Sequence, residues 1–199
     1  MSMNRRDFFR FGLQNAAKLA GQAAADRLGL SDRNLIRPPY AVAEAAFLEA
    51  CTRCDACIEA CSYDVLFKLP EEAGAKRAAT PVMDLLVSGC HLCGDWPCVT
   101  VCEPRALQLP ASQGKQPPEP PKLARAAIDT GACLPYAGPE CGACADACPV
   151  PGALNWVDGV KPVIDEDICT GCALCREFCI TDPKAIEITE IQVSLPADA

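Results

Sequence analysis

Large side chains are scarce in this chain. Its 199 residues include six Phe, three Tyr, two Trp and one His. Three of the Phe (Phe8, Phe9 and Phe11) crowd the N-terminus, which leaves Phe47, Phe67 and Phe178 for everything else. So little hydrocarbon cannot offset the conformational entropy lost when a body of this length becomes ordered. No run of about 18 apolar residues occurs, so no segment reads as a membrane-spanning helix. A basic surface is missing too. Beyond residue 37, eleven Lys and Arg face twenty-three Asp and Glu, and the whole chain has a formal net charge of −8. Nucleic acid is excluded as a partner, because neutralising phosphates needs a basic face. No nucleophile beside a base, no acid–base pair and no phosphate-binding glycine loop stands out. No catalytic residue is therefore assigned, and the chain reads as a carrier rather than an enzyme.

Cysteine is what the sequence has in excess. There are sixteen, in four sets of four that begin at Cys51, Cys90, Cys133 and Cys169. The steps between sets are 39, 43 and 36 residues, which indicates one supersecondary unit used four times. The flanks repeat as well. A short apolar run ending in Asp precedes three sets, at Pro81–Asp84, Ala127–Asp129 and Pro162–Asp165. An alternating tail follows three sets, at Arg105–Leu109, Gly152–Val157 and Lys184–Ile188. Such alternation predicts short strands, so each unit should run strand, cysteine loop, helical turn, strand, and the fold class should be α+β.

The first set, Cys51, Cys54, Cys57 and Cys61, and the fourth, Cys169, Cys172, Cys175 and Cys179, share the spacing of two-cluster ferredoxins. Three thiolates from one tight loop reach three corners of a cubane, and the fourth corner is reached from elsewhere. Ala56, Gly171 and Ala173 let the loops wrap closely. The second set (Cys90, Cys93, Cys98, Cys102) and the third (Cys133, Cys141, Cys144, Cys148) each stretch one gap, with Pro and Gly to absorb it. The expected cofactors are four [4Fe–4S] clusters bound by all sixteen cysteines. Disulfides and structural zinc are competing readings, but repeated three-cysteine loops suit neither a disulfide framework nor paired zinc knuckles. Equal spacing favours pairing the first set with the fourth and the second with the third. Cys61 then completes the fourth set's cluster and Cys179 the first set's; sequential pairing is the alternative. His91 and the two Trp, Trp96 and Trp156, are read as packing or shielding groups, and Asp165, Glu166 and Asp167 as a solvated face.

Two segments fall outside the repeat. Residues 111–121 form a proline-rich insert, and residues 1–38 a short helical N-terminal extension ahead of a tetra-cluster domain at 39–191. Asn4-Arg5-Arg6-Asp7-Phe8-Phe9-Arg10 is similar to a twin-arginine signal, which carries folded, cofactor-loaded proteins across the bacterial inner membrane through the Tat translocase. The address it predicts is periplasmic. Gln14, Asn15, Lys18 and Gln22 interrupt the apolar stretch that should follow, and a basic helix in a cytoplasmic protein is the alternative.

The run Ile36-Arg37-Pro38-Pro39, then Phe47-Leu48 and the first cysteine set, together with the stretched gaps of the second and third sets, resembles the ferredoxin-type accessory proteins of periplasmic nitrate reductase and methylamine utilisation (the NapF, NapG and MauM type). The spacing of the sets predicts a polyferredoxin of two ferredoxin-like modules, and the resemblance implies a small protein that passes electrons. It also implies a redox protein partner: a membrane quinol-oxidising donor, and a reductase or dehydrogenase that receives the electrons. Assembly of such a reductase is the alternative role. Pro follows the fourth cysteine only at Cys148-Pro149; Ser62, Glu103 and Ile180 take that place in the other sets.

Overall fold

Strands form where the sequence alternates, and they are short because the alternating segments are short. The computed structural model describes residues 35–110 and 118–191. The twin-arginine segment and most of the proline-rich insert lie outside the described residues. The strands are β1 (Leu35–Ile36), β2 (Leu66–Lys68), β3 (Pro81–Asp84), β4 (Arg125–Ile128), β5 (Leu154–Val157), β6 (Lys161–Ile164) and β7 (Ile186–Thr189). Among the described residues five short helices accompany them: α1 (Glu44–Ala50), α2 (Ala56–Glu59), α3 (Pro97–Thr100), α4 (Leu134–Ala137) and α5 (Leu174–Glu177). The class is α+β.

One pairing pattern occurs twice. In the first half, β2 and β3 form an antiparallel hairpin, and β1 adds to the far edge of β3, so that Met83 faces both Leu66 and Ile36. Outside that hairpin, Ala41 bridges Leu107, flanked by Val42 N–H to Ala106 O (3.0 Å) and Gln108 N–H to Tyr40 O (2.9 Å). In the second half, β5 and β6 form the inner hairpin and β4 pairs antiparallel with β7. Pro81 opens its strand and Pro162 lies on an edge, the places where a missing N–H costs no ladder bond. A separate unit, whose described part is residues 69–79, folds on itself through the turn Glu71–Ala73 and closes with Ala79 N–H on Leu69 O at 2.8 Å.

The core of the main unit is modest. Leu66, Met83, Leu85, Leu123, Ile186 and Ile188 form one buried cluster, with cysteines of several sets packed against it. Phe47, Trp96, Val99 and Leu107 form a second. The sheet begins at Leu35, within the stretch that the sequence assigned to the extension. Arg37 anchors that start. Its guanidinium forks onto Glu44 (Nη2–Oε1 2.7 Å, Nε–Oε2 2.8 Å). It also donates from Nη1 to the Thr80 hydroxyl (2.7 Å) and Pro81 O (3.0 Å), and lies 4.5 Å over the Phe47 ring. Its side chain is only 13% exposed. Arg37→Ala is expected to destabilise the protein by about 2–4 kcal/mol in anaerobic denaturant titrations, since it strips partners from a part-buried network. Arg37→Lys should recover less than half of the loss, because an ammonium cannot reproduce the fork.

Candidate metal centre

Three of the four cysteine sets are launched by a structural device that the sequence repeats. The Asp preceding a set folds back on the chain after it: Asp84 Oδ1 accepts from Leu86 N–H (3.1 Å), Asp129 Oδ1 from Gly131 N–H (2.8 Å), and Asp165 Oδ1 from Asp167 N–H (3.0 Å). The main-chain carbonyls of the same residues then receive Ser88, Cys133 and Cys169 N–H. These are Asx turns, which offer the backbone an alternative to continuing the strand. Helix α1 launches the first set instead: its Glu-Ala-Ala-Phe-Leu-Glu-Ala sequence suits a helix, and Cys51 N–H caps it on Phe47 O at 2.8 Å.

Inside the loops the backbone turns left-handed at alternate positions. Arg53 (φ 60°) and Gly171 (φ 69°) occupy the same place in their sets, as do Asp55 (φ 66°) and Ala173 (φ 68°); Leu92 (φ 48°) and Trp96 (φ 46°) do so in the second. A non-glycine residue held there costs on the order of 1 kcal/mol. The conformation turns successive N–H groups toward the concave side, where they can face anionic sulfur. Gly171 N–H reaches Cys169 Sγ at 3.3 Å and Leu107 N–H reaches Cys102 Sγ at 3.4 Å.

The thiols gather in fours, and each four takes three members from one set and one from its neighbour. Cys51, Cys54 and Cys57 line a cavity with Cys102. Cys90, Cys93 and Cys98 line another with Cys61, and Cys133, Cys141 and Cys144 line a third with Cys179. The first and third contain about 360 Å³ of empty space and the second about 390 Å³, open mouths included. Cys169, Cys172 and Cys175 have Cys148 as their electrostatic neighbour. This arrangement corrects the favoured pairing of first set with fourth. Cys61 stands with the second set and Cys179 with the third. The reason is local: each inner hairpin folds the chain leaving one set straight back to the next. Helices α2 and α3 pack together in the first half, and α5 packs on the turn Ala145–Ala147 in the second. The sequence carries a signal for this in Asp158-Gly159, a strong hairpin dipeptide: both residues have positive φ, and Val160 N–H closes on Val157 O at 3.2 Å.

The two halves meet at cysteine loops. Cys90 N–H donates to Cys172 O (2.8 Å), and Gly89 N–H to Glu177 Oε2 (2.7 Å). A Cβ on Gly89 would lie 2.6 Å from Leu174 N, so only glycine permits this approach. Neighbouring thiols place the four sites in one order: Cys57 beside Cys98, Cys90 beside Cys172, and Cys175 beside Cys144.

Burial first, and the neighbouring sulfurs after it, push these thiols up. Cys57 rises to about 11, and Cys98 and Cys175 to about 12. Cys90 also rises to about 12, through burial partly countered by Leu92 N–H. Such thiols are poor nucleophiles on their own and become thiolates when a metal takes the proton's place. Cys179 departs from the rest: burial raises it, but the Thr181 hydroxyl, the Thr181 and Ala185 N–H groups and Lys184 together bring it below the ordinary value.

The donor set suits a cluster. Four thiols line each of the three cavities, and a cubane is held at its corners by thiolates spread around it. The remaining expected residues take supporting places. Trp96 is buried, lines the second cavity and meets Tyr40 edge-on at 4.9 Å. His91 stacks on Tyr63 with ring centroids 3.4 Å apart, both lining that cavity. Trp156 packs partly buried against the main core. Glu166 pairs with Arg125 at 2.7 Å.

Four reciprocal groups of cysteines in a small α+β body define a ferredoxin-type protein. No protein-family model matches the chain. It is 31% identical to the ferredoxin-type protein NapG of Escherichia coli, over 96% of this chain and 87% of that protein. It is 28% identical to the methylamine utilization ferredoxin-type protein MauM of Methylobacillus flagellatus, over 94% and 81%. The ferredoxin-type protein NapF of Escherichia coli is 32% identical over 73% of this chain and 80% of its own length. The chain belongs to this family of NapG, MauM and NapF ferredoxin-type proteins.

Proposed function

We propose that the chain is an iron–sulfur electron-transfer protein that holds four [4Fe–4S] clusters in two ferredoxin-like modules. The observation that carries this reading is the reciprocal exchange of fourth cysteines, Cys61 for Cys102 in the first half and Cys148 for Cys179 in the second. Cys51, Cys54, Cys57 and Cys102 would hold one cluster, and Cys61, Cys90, Cys93 and Cys98 the next. Cys148, Cys169, Cys172 and Cys175 would hold the third along the row, and Cys133, Cys141, Cys144 and Cys179 the last. Clusters of this type supply reversible one-electron chemistry over a wide range of potentials. The chain's own residues hold them in a row, turn N–H groups onto their sulfurs, and shield the second site with Trp96, His91 and Tyr63. The backbone contact of Cys90 with Cys172 brings the halves together in the middle of the row. The partners are a quinol-linked or other electron donor on one side and a reductase or dehydrogenase on the other. The twin-arginine segment assigns the loaded protein to the periplasm.

The test is iron and acid-labile sulfide on anaerobically purified protein, with EPR after dithionite reduction. About sixteen irons per chain and spin-coupled signals near g = 2 are expected. Zinc, or oxidised thiols that persist after anaerobic reconstitution, would sink the reading.

A further inference from the structure

Each half of the chain contains cysteine loops of one kind, but the side-chain hydroxyls are divided unequally between them. In the second half Thr181 Oγ1 lies 3.3 Å from Cys179 Sγ. The same oxygen accepts Ala185 N–H at 2.9 Å, which leaves the hydroxyl hydrogen free to point at the sulfur. A metal-bound thiolate has no proton to give, so Thr181 is then the donor of that pair. Thr170 is the second case. It is 6% exposed, and its Oγ1 is buried without a hydrogen-bond partner among the described residues. It sits in the loop between Cys169 and Cys172, where a bound cluster would offer its orphaned hydroxyl a sulfur acceptor. Leu123 N–H on Thr170 O, at 2.7 Å, pins the residue in place. In the first half the corresponding residue, Thr52, is exposed, and Thr100 gives its hydroxyl to Pro97 O. Among the described residues no side-chain hydroxyl bonds a sulfur of the first two sites.

We propose that Thr181 and Thr170 raise the reduction potentials of the two second-half sites above those of the first half, giving the protein a built-in direction of electron flow toward its C-terminal half. The proposal rests on the four-cluster reading. Taking up one electron breaks no bond and adds negative charge at the thiolates, and a hydroxyl hydrogen on the sulfur stabilises that charge. The electron comes from a one-electron donor protein and leaves to a one-electron acceptor. Both threonines act as positioning residues, through the sulfurs they face.

The experiment is a redox titration of the loaded protein followed by EPR, on the wild type and on Thr181→Ser, Thr181→Ala, Thr181→Val and the same three changes at Thr170. Ser and Ala differ from each other by the hydroxyl alone, so their comparison decides the case even where Val perturbs packing. The expected result is one titration step of the upper pair moved down for Ala and Val at each position, a different step for each residue, with Ser at the wild-type position. The shift expected is about tenfold in the reduced-to-oxidised ratio at fixed potential, or about 59 mV for one electron. Unmoved steps, a Ser shift as large as the Ala shift, or movement within the lower pair overturns the proposal. Iron and sulfide are measured on every sample. A wild type that lacks four clusters defeats the underlying reading, whereas full loading with unmoved potentials defeats this inference alone.

Discussion

Gly171→Ala should cost the protein more than about 4 kcal/mol of stability and, on the four-cluster reading, one of the clusters. A Cβ on Gly171 would lie 1.9 Å from Ala124 O and 2.3 Å from its carbonyl carbon, and both are backbone atoms that cannot swing aside. The residue also holds φ at 69°, which costs a side chain further energy. Its N–H faces Cys169 Sγ, and the neighbouring Thr170 carbonyl receives Leu123 N–H, so displacing the loop undoes contacts on both sides. Iron per chain is expected to fall by about a quarter, with a matching drop in the denaturation midpoint. Gly94→Ala is the control. It sits in the second cysteine loop with nothing within 4 Å of its added Cβ, and should change stability by less than about 0.5 kcal/mol. Equal effects from the two changes would show that the approach of Gly171 to Ala124 is unimportant.

The second large effect separates the two pairings. Cys61→Ser should expose Cys90, Cys93 and Cys98 to alkylation while Cys51, Cys54 and Cys57 stay protected. Cys179→Ser should expose Cys133, Cys141 and Cys144 in the same way. Anaerobic labelling with iodoacetamide, followed by peptide mass spectrometry, reads the outcome directly. Labelling of Cys169, Cys172 and Cys175 in the Cys61 variant would contradict the exchange within halves that the cavities show.

Much of the fold was legible because its signals are local. The runs Pro81–Asp84, Pro162–Asp165 and Lys184–Ile188 contain or overlap β3, β6 and β7, and the alternation that predicts them is the alternation of the pleat. The alternation of Arg105–Leu109 predicts a strand, and the segment makes only the bridge at Leu107, because its partner segment at residues 40–42 is equally short. The pairing of cysteine sets was harder. Spacing within a set reports how one loop wraps, and the first and fourth sets wrap alike: Arg53 with Gly171 and Asp55 with Ala173 are left-handed at matching places. Spacing says nothing about which loops are neighbours, since the intervening hairpins decide that. The role of Gly89 was invisible for a related reason. It depends on what the other half of the chain places against it.

The exchange of cysteines within each half has a consequence for how the molecule is made. Cys102 is the last cysteine lining the first two cavities, so the thiols of both are synthesised before the second half of the chain. Had the first set been joined to the fourth and the second to the third, no site could have closed until synthesis reached the third set. Thiols awaiting distant partners would have stood open to oxidation in the meantime. The thiols of each half are therefore local in the chain, although Leu66, Met83 and Leu85 still pack with Leu123, Ile186 and Ile188 in one shared core.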